Sequence, residues 1–263
     1  MHGPDLTSNA ANDTNISTTT NRYFVVLPED AFEEGIAYLR AQGFDVFVAD
    51  APERGVPRED EVGAATGIGM PALSVAFVEG SAEQISRLQD AAGGSGPILF
   101  VEPEKVRHLL PVSPSPSEGP VELEHSGGSF DTNNDDAILD ETPFTWGLQA
   151  TGVTGSKYSG AGVRVAILDT GIAFEKEPNG NIQYHPDFAD RTIVTRSFVR
   201  GIPTAKDGNG HGTHCIGTAC GSRQPVVPPR YGIACDAEIY VGKIVTDAGL
   251  GVDLWAISTP SRV

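Results

Sequence analysis

Residues 111–143 carry no apolar periodicity, and this break constrains the fold more than any other feature of the chain. The stretch opens as PVSPSPSEGP, stiff and polar, and runs on through HSGGSFDTNNDD. Its Pro, Ser, Gly, Asn and Asp favour turns over regular elements. No continuous core can pass through such a segment. The chain therefore reads as two units, 22–110 and 144–263, joined by an exposed linker at 111–143. Residues 1–21, rich in Asn, Thr, Ser and Asp, read as a disordered tail.

In the first unit, Tyr23–Leu27 (YFVVL) is a short buried strand. Phe32, Ile36 and Leu39 stand at helical spacing, and Gly43 stops that helix. Phe44–Ala49 (FDVFVA) is a second strand, 50–71 a long polar loop, and Ala72–Val78 (ALSVAFV) a third strand. Ser81 and Gln84 fit a capping box ahead of Ile85 and Leu88, with Gly93-Gly94 as the stop. Ile98–Glu102 (ILFVE) is a fourth strand. The order is βαββαβ, the ferredoxin-like arrangement.

The second unit follows an α/β pattern. Val163–Leu168 (VRVAIL) is a strand that ends at Asp169, and Ile193–Phe198 is a weaker one. His211–Ala219 is a helix behind a Gly-rich turn, and Ala237–Val245 (AEIYVGKIV) is another strand. Residues 249–263 fit no complete element. The fold class of the chain is thus α/β, with a partial parallel-sheet domain after the small first one.

Charge and composition narrow the partners. Eighteen Lys and Arg against 35 Asp and Glu give a net charge of −17. That argues against nucleic acid, whose binding rests on cations that neutralise phosphates. No apolar stretch reaches the roughly 20 residues of a membrane span. Met1–Asn21 has neither the basic start nor the apolar core of a signal peptide, which fits a cytoplasmic protein or an incomplete N-terminus. Cys215, Cys220 and Cys235 are an odd count and do not make a disulfide framework. One bridge with a free thiol and three reduced thiols both fit.

Two segments can carry chemistry. In Ala166-Ile167-Leu168-Asp169-Thr170-Gly171 an apolar strand delivers a carboxylate at its C-terminal end, where open α/β sheets place their ligands. The plain alternative is an Asp that caps its own turn. In Asp207-Gly208-Asn209-Gly210-His211-Gly212-Thr213-His214-Cys215 the glycines bend the chain sharply before a helix begins near His211. An imidazole held by a carboxylate through one ring N–H has its other nitrogen free as a general base.

Together these segments resemble the subtilisin-like serine peptidases. D-T-G carries that family's aspartate and H-G-T-H its histidine, so the resemblance implies Asp169 and His211 as catalytic residues. Trp146-Gly147-Leu148 resembles the start of the mature enzyme, and His185-Pro186-Asp187-Phe188 the H-P-D segment between Asp and His. Tyr231-Gly232-Ile233-Ala234 through Lys243-Ile244-Val245 resembles the strand after the His helix. Gly249, Leu250 and Gly251 resemble the edge that lines the substrate cleft. Residues 22–110 resemble the family's inhibitory propeptide, with Val101–Leu110 as its final strand and tail. The resemblance implies polypeptide substrates, an intramolecular propeptide as partner, and no cofactor.

One part of the family pattern is missing. The family's serine sits in a G-T-S-M-A block, and after Cys235 the only serines are Ser258 and Ser261, with no such block around them. The oxyanion Asn and the S1 segment are missing as well. The expectation is a truncated chain without its nucleophile, unable to hydrolyse peptides alone.

Three other readings compete. An aspartic protease needs a second D-T-G or a symmetric dimer to share a proton; the sequence has no second copy, and H-G-T-H would go unexplained. A zinc site could use His211, His214 and the cysteines, but the H-E-x-x-H spacing is absent. His214 reads as a packed helix residue and Cys215 as a small buried one. Asp187 matches one family calcium ligand, but no oxygen-rich loop accompanies it, so no metal is expected. The non-enzyme alternative is an inhibitor or binding module in which only 22–110 folds.

Overall fold

The computed structural model describes residues 19–49, 62–94, 96–109 and 140–257. Residues 1–18 of the expected tail, 50–61 of the expected loop, 111–139 of the expected linker, and Ser258 and Ser261 lie outside the described residues.

β1 (Thr19–Val26) lies within the first sheet, pairing antiparallel with β4 (Val75–Glu79) on one side and β5 (Phe100–His108) on the other. β4 pairs antiparallel with β3 (Gly67–Met70), which pairs parallel with β2 (Val46–Val48). α1 (Phe32–Ala41) and α2 (Ala82–Ala91) present apolar stripes at the 3.6-residue period. Phe32, Ile36, Leu39, Ile85 and Leu88 pack with Val25, Ala76 and Val78 in one core. The capping box of α2 is formed: Gln84 N–H donates to Ser81 Oγ at 3.3 Å, and Ser81 N–H to Gln84 Oε1 at 3.0 Å.

Against the expected βαββαβ order, the described residues carry an additional strand. β3 falls inside the expected loop, and Pro71–Leu73 is a 3-10 turn instead of the start of a strand. GIGM has low strand propensity, yet all four residues are buried, so tertiary packing overrides the local signal. β5 also continues to His108, well past Glu102.

In the second half, β6 (Arg164–Asp169), β10 (Glu238–Lys243) and β9 (Ile193–Ser197) form a parallel sheet in the order β6-β10-β9. α4 (His211–Cys220) covers one face. Ile216 and Cys220 pack with Ile239, Val241, Ile172 and Phe188, and Val165 and Ile167 lean on the same core. Arg164, Ala166 and Leu168 point the other way and are exposed, the period-2 alternation of a half-covered strand. α3 (Trp146–Ala150) precedes this sheet, and β7 (Phe174–Lys176) and β8 (Ile182–Tyr184) form a hairpin after β6.

The expectation that 249–263 forms no complete element is corrected. β11 (Leu250–Val252) and α5 (Asp253–Ile257) lie there. β11 pairs antiparallel with β5 and extends the first sheet to the order β11-β5-β1-β4-β3-β2. Three side chains alone could not sustain a strand; the preformed edge of β5 supplies its partners.

A second core joins the halves. Ile68, Met70, Val75 and Phe77 of the first sheet pack with Phe198, Val199, Leu254 and Trp255. At its border Glu104 is fully buried. Its Oε2 meets the Arg22 guanidinium at 2.7 Å and the Thr20 hydroxyl, and its Oε1 accepts the Leu254 N–H at 2.9 Å. Asp253 in turn accepts the Lys105 N–H at 3.0 Å and pairs with Arg107 at 2.9 Å. Replacing Glu104 by Ala leaves the buried Arg22 without its anion. The expected cost is about 3–5 kcal/mol, measured by urea unfolding; a loss below about 1 kcal/mol would show that the pair is solvated and unimportant.

Candidate functional site

Asp169 is the last residue of β6 and His211 the first of α4. In register, Lys243 at the end of β10 lies beside Asp169 on one side and Ser197 of β9 on the other. The site therefore forms at the C-terminal ends of parallel strands, where side chains leave the sheet and can converge.

Two glycines let the two segments approach. Gly171 has φ 112°, and a Cβ there would collide with the Ala205 carbonyl oxygen. A Cβ on Gly212 would collide with the Gly171 carbonyl oxygen. Only residues without a Cβ permit this contact. Thr170 then bridges the gap: its hydroxyl donates to Asp207 at 2.9 Å and accepts the Gly212 N–H at 2.8 Å.

Asp207 serves as the cap that Gly210, the N-cap residue of α4, has no side chain to provide. It accepts N–H groups of Asn209 at 2.9 Å, Gly210 at 2.8 Å and Thr213 at 2.9 Å, together with the Thr213 hydroxyl. Burial by itself would raise its carboxyl. The hydrogen bonds from Thr213, Gly210 and Asn209 together outweigh that and hold it below the usual carboxylate range.

The product of this scaffolding is a paired Asp and His. His211 Nδ1 lies 2.8 Å from both Oδ1 and Oδ2 of Asp169. Asp169 Oδ1 also accepts the Thr170 N–H at 2.7 Å. An ionised carboxylate only accepts, which assigns the proton to Nδ1 and leaves the Nε2 lone pair free. The His211 side chain is 24% exposed against 12% for Asp169, so the carboxylate is sheltered while the imidazole keeps access to solvent. That arrangement can take a proton from a hydroxyl and hold the resulting imidazolium.

The sequence offers Cys215 only as a candidate zinc ligand or as a buried packing residue, not as a neighbour of the Asp169–His211 pair. One turn along α4, at the i,i+4 spacing that brings helical side chains together, its Sγ lies 3.7 Å from His211 Nδ1. It is half-buried beside the pair, which corrects the reading of a buried packing residue. Burial, then the charge and hydrogen bond of Asp169 and the charge of Asp207, push its thiol up, which disfavours the reactive thiolate. Among the described residues, Asp169, His211 and Cys215 have ligand atoms within 4.8 Å of one another and could hold a cation, at the expense of the Nδ1 proton. His214 is exposed, also against expectation. The Asp187 carboxylate is already engaged by the Val226 N–H at 2.8 Å and the Tyr231 hydroxyl.

Gly249, Leu250 and Gly251 lie alongside the chain's own β5. Leu250 registers with His108 and Gly251 with Arg107, and Gly249 O accepts the Leu109 N–H at 2.9 Å.

The depressed Asp207 carboxyl has a defined pH signature. Its contribution to stability is present above its unfolded value of about 3.9 and is lost as pH falls through its lower folded value. Melting temperatures taken from pH 7 down to pH 2 should fall less steeply at the acid end in Asp207→Asn than in the parent chain. Equal acid slopes would remove Asp207 from the account.

Residues 160–262 match the family described as the Subtilase family (Peptidase_S8). Over 109 residues the chain is 38% identical to Subtilisin Savinase from Lederbergia lenta, covering 40% of this chain and 35% of that protein. It is 38% identical over 109 residues to an alkaline protease from Alkalihalobacillus alcalophilus, covering 40% and 25%. A cuticle-degrading protease from Metarhizium anisopliae is 35% identical over 122 residues, covering 43% and 27%. The fold is similar to that of fervidolysin from Fervidobacterium pennivorans, a keratinolytic enzyme related to subtilisin, with TM-score 0.51 and 19% identity over 94% of this chain and 34% of that one. The aligned part thus spans only about a quarter to a third of the length of these curated relatives. Through residues 160–262 the chain is similar to the subtilase family.

Proposed function

We propose that residues 144–257 are the Asp–His part of a serine endopeptidase acting on polypeptides, preceded by its own inhibitory domain. The observation that carries this is the His211 imidazole, gripped through Nδ1 by both oxygens of Asp169. In the proposed reaction His211 Nε2 takes the proton of a serine hydroxyl as that oxygen attacks the peptide carbonyl. Asp169 holds the imidazole in its tautomer and stabilises the imidazolium, which then protonates the leaving amine. The serine and the oxyanion donors are to come from subtilase sequence that these 263 residues do not contain.

The test is a chimera in which the part of Subtilisin Savinase beyond the matched segment follows residue 257 of this chain. It should hydrolyse a fluorogenic peptide, lose that activity to a serine-directed phosphonate, and lose on the order of 10⁴-fold or more in kcat on His211→Ala. Turnover that survives His211→Ala would overturn the assignment, as would a folded chimera without phosphonate labelling.

Residues 22–110 are the proposed propeptide domain, with the linker at 111–143 as the segment cut on activation. The antiparallel order β5-β1-β4-β3, with α1 and α2 on its core, supports a ferredoxin-like reading in which β2 is an added edge strand. The docking of 106–109 on Gly249–Val252 supports inhibition, since an extended strand on that edge excludes a substrate. Added in trans to an active subtilase, residues 1–115 should inhibit it; no inhibition at micromolar concentration would leave the first domain as a folding partner only.

A further inference from the structure

We propose that Lys243 and Asp247 are positioning residues that tie the β11 edge to the Asp169–His211 pair, so that docking of a strand on that edge and alignment of the pair are mechanically one event. The proposal rests on the reading of that edge and that pair as parts of one peptide-handling site.

Lys243 ends β10 and is fully buried. A buried ammonium is tolerated only when its donors are satisfied and its charge is matched. Nζ donates to the Thr170 carbonyl and to Asp247 Oδ1, the latter at 2.5 Å. Thr170 directly follows Asp169, and its hydroxyl holds Asp207 and the Gly212 N–H. Lys243 thus grips the turn that carries the carboxylate of the pair.

Asp247 grips the other partner. Its Oδ1 accepts the Gly208 N–H at 3.0 Å, and its backbone carbonyl accepts Asn209 Nδ2 at 2.9 Å. Asn209 Oδ1 in turn accepts the His211 N–H at 3.3 Å. The loop that launches α4 is therefore pinned from one side by Asp207 and from the other by Asp247.

Asp247 also stands in the turn that leads to β11. Thr246 N–H donates to Leu250 O at 2.8 Å, Gly249 N–H to Thr246 O at 2.9 Å, and Leu250 N–H to Thr246 Oγ1 at 3.1 Å. That closed turn presents the Gly249 carbonyl to Leu109. A route runs by hydrogen bonds from Leu109 through Gly249 to Thr246, along the backbone to Asp247, and by hydrogen bonds again through Lys243 and Thr170 to the pair. Removing the Asp247 carboxylate leaves Lys243 buried without its anion, so the ammonium must reorient toward water and release Thr170. Both ends of the route then loosen together.

The experiment uses the full 263-residue chain and two NMR readouts. One is hydrogen exchange at the Leu109 amide; the other is the low-field Nδ1–H resonance of His211, sharp only while Asp169 shelters it. The Asp247 side chain is 52% exposed, so Asp247→Ala opens no cavity. It should accelerate Leu109 exchange roughly tenfold or more and broaden the His211 line, while the Val25 amide in the first sheet keeps its protection. Gly208→Ala is the second variant. Its Cβ would occupy the position of the Asp247 carboxylate, which displaces the clamp while keeping its charge, and it should give the same paired response. A variant that moves only one of the two readouts, or that moves Val25 with them as a loss of global stability would, overturns the proposal. A failed peptidase assay in the chimera would count against the catalytic reading and leave these two readouts standing.

Discussion

The site depends on one close approach, that of the Gly171 turn to the first turn of α4. Gly212 has no Cβ to strike the Gly171 carbonyl, and Gly171 has none to strike the Ala205 carbonyl in the chain leading to α4. Once they touch, Thr170 and Asp207 have hydrogen-bond partners on the opposite segment, and Asp169 faces His211. The donors at the start of α4 also favour negative charge nearby, which suits Asp207 as its cap. The hydrogen bonds are consequences of the approach; without it, the same polar groups would remain solvated in two separate loops.

The two halves are less separate than a polar linker suggests. β11 belongs by sequence to the second half and by hydrogen bonding to the first sheet. Phe77 and Trp255 contribute to one core, and Glu104 caps the backbone of Leu254 from across the junction. At about 25 cal/mol per Å² of buried apolar surface, such a shared core favours the docked arrangement. The strand placed on the Gly249 edge is thereby held by more than its own ladder.

Local pattern sufficed where a residue's role is set by its neighbours in sequence. The capping box at Ser81 and Gln84, the stripes of α1 and α2, the strand that ends at Asp169 and the helix that begins at His211 were all legible. It failed at GIGM, where two glycines hide a strand that burial enforces, and at 249–257, where β11 exists only because β5 offers an edge. The place of Cys215 beside the pair and the role of Lys243 were not legible for a related reason. Each residue owes its surroundings to side chains far along the chain, so neither a small residue in a helix nor a lysine in a strand signals its role.

The sequence by itself determined the kinds of elements, the glycines that allow tight turns, and the presence of an Asp and a His in segments suited to pairing. Tertiary structure alone decided that the Asp169 carboxylate grips Nδ1 with both oxygens, that Cys215 stands beside them, and that the chain's own β5 fills the Gly249–Gly251 edge. The physical reason is range. Propensity, capping and periodicity act within a few residues. Closing a 42-residue separation between Asp169 and His211 requires a parallel sheet and a packed helix to align two chain segments that carry no local information about each other.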